Sequence, residues 1–197
     1  MEERWKNLCI FVFVLVLLYA GFVIFLNPGS TVLDESDFNS TVKSVYLAWN
    51  DAGYDGSEFS FFDSKLLTTS NVKLFKSKLQ VLQNSLPAGV SKDFVEIHLL
   101  VADSLLYEFE AVESDSVYFA GDECQNLNHL ENIAVNYKKV FSTSNLIKSK
   151  MLSFNAKYPE KAKSFGFSKV VDRLSLSNYD KTSSDLMQKL VLLQERC

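Results

Sequence analysis

A chain of 197 residues holds one ordinary domain plus a short appendage, or at most two small domains. Seven Gly and three Pro are too few for a turn-rich all-β fold, while sixteen Phe and eight Tyr supply the bulk of a core, so composition points to helices. The net charge of −4 is scattered over both signs with no Lys/Arg block, which removes the electrostatic basis for neutralising phosphates, and no nucleic-acid partner is expected.

The first element is an apolar run from Leu8 to Leu26, LCIFVFVLVLLYAGFVIFL, nineteen residues without a charge. As a helix it is about 28 Å long, close to the roughly 30 Å of a bilayer's hydrocarbon. A helix satisfies its own backbone hydrogen bonds in lipid, and Asn27-Pro28-Gly29-Ser30 then ends it. A core helix at a chain terminus would show one wet side, and this run has none. A cleaved signal peptide is the closer rival. Its apolar region usually spans about 7–15 residues and ends in a small-x-small site, whereas cuts after Ala20 or Gly21 would place Leu18 or Tyr19 at the −3 position. The run reads as an uncleaved anchor in the lipid bilayer, with Cys9 as a small lipid-facing residue.

Arg4 and Lys6 precede the span, and the first basic residue after it is Lys43, beyond Asp34, Glu35 and Asp37. The positive-inside bias therefore predicts a cytoplasmic N-terminus and an exported C-terminal domain in the cell membrane. The expected organisation is a cytoplasmic tail at 1–7, an anchor at 8–26, a linker at 27–36 and an extracytoplasmic helical domain at 37–197. A seven-residue tail is too short to fold or carry an output domain.

Beyond the linker, Phe38, Val42, Val45, Trp49 and Ala52 fall on one helical stripe, with Ser36 or Asp37 as the cap and Gly53 as the stop. Tyr54-Asp55-Gly56-Ser57 reads as a loop, and the apolar stretch from Phe59 to Leu67 is ambiguous. Val72, Phe75, Leu79, Leu82 and Leu86 form a second stripe, closed by Pro87-Ala88-Gly89. A third helix is expected from Ser91, its N-cap, with Val90 in the staple position, to about Ala120, where Gly121 ends it. It carries two stripes, Phe94/Ile97/Val101/Leu105 and Leu99/Ala102/Leu106/Phe109, which places it centrally with neighbours on two sides.

Leu127, Leu130, Ala134, Tyr137 and Phe141 continue the rhythm. The phase changes at Ser142-Thr143-Ser144-Asn145, and Ile147, Met151, Phe154 and Tyr158 resume it, so this is one kinked helix or two in series. Pro159 stops the pattern or starts a new turn. Thr182-Ser183-Ser184-Asp185 resembles a capping box opening a last helix through Leu186, Leu190 and Leu193, and residues 160–181 carry no clear pattern. The expected fold class is mainly α, one N-terminal transmembrane helix followed by a bundle of four to six helices.

The chemistry-bearing residues are few. Cys124 and Cys197 are the only cysteines outside the apolar run, and export would place them where disulfides persist. Bridged, they close a loop of about 73 residues, although spacing leaves two unpaired thiols equally open. His98 and His129 belong to no C-x-x-C or H-x-x-x-H pattern, so no metal and no cofactor is expected; His98 reads as a core-edge histidine and His129 as a polar-face one. No G-x-S-x-G, phosphate loop or dinucleotide fingerprint is present. Glu108, Glu110, Glu113 and Asp115 read as a solvated face, because a glycosidase needs carboxylates facing each other across a cleft. Asn39-Ser40-Thr41 is a glycosylation sequon of the kind that chance supplies in a chain rich in Asn and Ser.

The residues therefore predict a non-enzymatic, membrane-anchored binding or scaffolding module whose partner is another membrane or envelope protein, met through an exposed groove of the bundle. Two alternatives are a small-ligand-binding sensory ectodomain acting through a partner, which needs an internal polar pocket, and a hydrolase with an atypical site, which needs a cleft joining His98 or His129 to distant carboxylates.

Overall fold

The computed structural model describes residues 32–53, 68–165 and 177–197. The expected span at 8–26, its tail and the first half of the linker lie outside the described residues, as do the loop after Gly53, the ambiguous stretch up to Leu67, and residues 166–176. All regular structure among the described residues is helical: α1 Val32–Asp51, α2 Thr69–Ser85, α3 Val90–Ala120, α4 Leu127–Lys157, α5 Pro159–Ser164 and α6 Ser177–Arg196. None of these helices is long and apolar enough to cross a membrane. The chain divides into two units, Met1–Asn39 and Ser40–Cys197. Of the first, only the opening of α1 is described. The second holds the bundle.

α1 begins at Val32, inside the segment read as linker, so Ser36 and Asp37 are helical residues and not caps. Gly53, at φ 86°, ends the helix as expected, since a left-handed residue there is free of Cβ strain only as glycine. α2 starts on Thr68, whose side chain accepts a hydrogen bond from the Asn71 backbone N–H at 3.2 Å. It stops because Pro87 drives the preceding residue out of the α region, and Leu86 is extended at ψ 138°.

α3 opens two residues earlier than the sequence suggests. Its N-cap is Gly89, at φ 151°, and not Ser91, which lies inside the first turn with a buried Oγ that has no hydrogen-bond partner among the described residues. Both stripes of α3 are used: α2 packs on one side and α4 on the other. Pairs along these contacts keep an antiparallel register. Thr69 meets Glu113 and Lys76 meets Asp103 across α2 and α3; Glu96 meets Lys150 and Asp93 meets Lys157 across α3 and α4.

α4 is a single continuous helix. The phase change at Ser142–Asn145 is a change of partner, not of direction. Leu130, Ala134 and Tyr137 lie towards α6, whereas Val140, Ser144, Ile147, Met151 and Phe154 continue the buried seam against α3, where Ser144 Oγ lies 3.4 Å from Ser104 Oγ. Pro159 begins a new turn as the first residue of α5, where its missing N–H costs nothing.

α6 starts at Ser177, so the Thr182–Asp185 tetrad is helix interior and not a capping box. Ser183 Oγ instead donates 2.8 Å across to the Ala134 carbonyl, and Ser184 Oγ donates back to Asp180. The helix lies antiparallel on the first half of α4, with Lys138–Asp180 and Tyr137–Tyr179 at its start. The bundle is thus an antiparallel chain of contacts, α2 on α3, α3 on α4 and α4 on α6.

Candidate functional site

Three polar foci stand out from the packed helices. The first is buried. Trp49 of α1 stacks on Phe75 of α2 with ring centroids 3.7 Å apart, and its indole N–H donates 3.1 Å to Nδ1 of His98 on α3. Phe94 leans on the same imidazole at 4.6 Å and on Phe154 of α4 at 6.2 Å. His98 is only 1% exposed, deeper than a core-edge position. Burial lowers its pKa from the usual 6.5 to about 3, so the ring is neutral, and accepting at Nδ1 places its proton on Nε2. A neutral imidazole between Trp49 and Phe94, with Phe75 stacked on the indole, is a packing and orienting group where α1, α2 and α3 meet.

The second focus is the α4–α6 seam below the acidic run of α3. Tyr179 donates 3.1 Å to Glu108, and its ring lies 5.9 Å from that of Tyr137. Desolvation, then the Glu108 charge, pushes the Tyr179 hydroxyl well above its ordinary range. Desolvation, helped by Asp115 and Glu108, does the same to Tyr137. Glu113 accepts from Thr69 of α2. Half of the predicted solvated face therefore ties α3 to its neighbours.

The third focus is the free end of the bundle. Asp122 folds the connection between α3 and α4: its Oδ1 accepts from the Cys124 N–H at 2.8 Å, and its carbonyl accepts from Gln125 and Asn126. This turn presents Cys124 to Cys197, and the two form a disulfide with Cα atoms 5.5 Å apart and a sequence separation of 73. Beside the bridge, Glu123 gathers three donors. Lys189 donates at 2.8 Å, Tyr118 at 3.1 Å, and Arg196 stands at 3.5 Å. Lys189 also lies over the Tyr118 ring at 4.9 Å. Its hydrogen bond, followed by that of Tyr118, holds the Glu123 carboxyl below the usual range, while the same contact raises Lys189. Beneath this polar end sits an apolar cluster of Ala111, Tyr118, Leu130, Ile133, Leu190 and Leu193.

The remaining expected residues are dispersed. Asn39 is an exposed residue of α1. His129 is half-buried, and its Nδ1 has no hydrogen-bond partner among the described residues. No group of three or more metal-ligating side chains is assembled among the described residues. Sequence reasoning found the cysteines but missed Glu123, Tyr118 and Lys189. Glu123 adjoins Cys124, yet its main partner is 66 residues away, and no local periodicity marks that distance. Comparison with protein-family models, with curated proteins and with solved structures finds no match to this chain.

Proposed function

We propose that the chain is a membrane-tethered, extracytoplasmic helical module that binds another membrane or envelope protein. The observation that carries the reading is the Cys124–Cys197 bridge, because such bonds persist in oxidising compartments and are rare in the cytosol. The uncharged run at 8–26 and the Arg4/Lys6 bias favour the same side for the domain. The buried histidine is packed among aromatics, and Asp93, Glu96, Asp103, Glu108 and Glu113 of α3 tie that helix to its neighbours, which suits a recognition scaffold. Large apolar side chains face outward at Val81, Phe119 and Leu192, the first two each 73% exposed, and give surface positions from which a protein contact can be probed.

The test is photo-crosslinking in native membranes, with benzoylphenylalanine in place of Val81, Phe119 or Leu192 in turn. A discrete protein adduct of fixed stoichiometry from at least one position is expected. Diffuse adducts from all three, spread over many proteins or over lipid alone, would contradict the reading.

A further inference from the structure

We propose that the Cys124–Cys197 disulfide is a redox-controlled clasp on α6, whose reduction releases the C-terminal helix while the rest of the bundle stays folded. The inference does not depend on which partner the domain binds.

The clasp is accessible. Both cysteines are exposed, Cys124 on a turn and Cys197 at the last residue, so a dithiol can reach the bond without unfolding the bundle. Accessible disulfides are the ones that exchange, whereas buried ones resist. In the reaction, a thiolate of the dithiol attacks one sulfur, the second thiol resolves the mixed disulfide, and two electrons and two protons end on Cys124 and Cys197 as thiols. The dithiol leaves as its own disulfide.

What the bond holds is otherwise lightly held. Among the described residues of α6, only Ser183, Leu190 and Leu193 are buried, in a helix of 20 residues. Its ion pairs, Lys189 and Arg196 with Glu123 and Asp180 with Lys138, are all solvent-exposed and of the kind that contributes little. Among the described residues α6 packs mainly on α4, and it meets α3 through the Tyr179–Glu108 hydrogen bond near its start and the cluster around Tyr118 near its end. The opposite end of the bundle is built without it: Trp49, Phe75, Phe94, Ile97, Met151 and Phe154 are buried among α1 to α4. A sparsely packed terminal element beside an independently packed core is the arrangement that opens as a separate unit. Once open, it uncovers Ala111, Tyr118, Leu130 and Ile133 on the α3–α4 pair.

Hydrogen exchange read by mass spectrometry tests this on the full chain in detergent micelles. The states compared are oxidised, dithiothreitol-reduced, and Cys197→Ser. In the reduced protein and the variant, amides at 183–196 are expected to exchange at least tenfold faster, with those at 94–106 and 147–154 within twofold of the oxidised protein. Should Cys197→Ser not accumulate, reduction of the purified oxidised chain gives the same reading. Unchanged exchange at 183–196 would overturn the proposal. So would a uniform rise across all helices, since the bond would then be supporting the whole domain.

Discussion

At the scale of single residues, the burial of His98 beside Trp49 governs how the core responds to acid. A histidine held neutral in the fold, with its pKa lowered to about 3, is protonated in the unfolded chain at higher pH than in the folded one. Its contribution is therefore fully present above about 6.5 and is lost progressively as pH falls towards about 3, with a slope of at most about 1.4 kcal/mol per pH unit. Urea unfolding at a series of pH values should show this slope in the native chain and lose it in His98→Gln; equal slopes in both would remove His98 from the account. Trp49→Phe keeps most of the apolar volume but strips the donor from a buried acceptor, and is expected to lower stability by about 1–3 kcal/mol. A midpoint within error of the parent would show that the bond contributes nothing.

At the scale of elements, Gly89 is where backbone conformation alone decides the cost. A Cβ there meets nothing within 4 Å, yet φ of 151° is a region that residues with a Cβ rarely enter. Gly89→Ala should cost about 1–3 kcal/mol through strain, read as a shift of the thermal midpoint, and an unshifted midpoint would mean that the α2–α3 connection relaxes freely. The stripes of α2 and α3 were legible in the sequence because each faces a constant partner, and the two stripes of α3 correctly marked it as central. α4 was less legible for a physical reason: its neighbours change along its length, so its buried positions shift between seams near Ser144 and imitate a break. The starts of α1, α3 and α6 were misplaced because Ser36, Ser91 and Thr182 are good caps that the chain does not use as caps. Continued helix at α1 and α6, and the glycine at 89, take precedence over the local capping chemistry. The polar network at Glu123 could not be read at all, because it joins the end of α3 and the α3–α4 connection to residues of α6, which only the folded bundle brings together.

At the scale of the molecule, the disulfide closes a loop spanning all of α4, α5 and α6. The chain-entropy model values such a closure at about 4 kcal/mol. With α6 so lightly packed, reduction is expected to split unfolding into two steps. In a Trp5→Phe background, Trp49 fluorescence should then report a later transition than far-ultraviolet circular dichroism, whereas the oxidised protein gives coincident curves. Coincident curves after reduction would mean that α6 and the core are one cooperative unit. The compartment in which this happens is the central claim, and labelling of intact cells addresses it directly. In a Cys9→Ala chain that keeps the Cys124–Cys197 bridge, exposed Ser149 on α4 is replaced by cysteine and treated with a membrane-impermeant maleimide. The account predicts modification at residue 149 from outside intact cells; protection until the membrane is permeabilised would place the domain on the cytosolic side and contradict it.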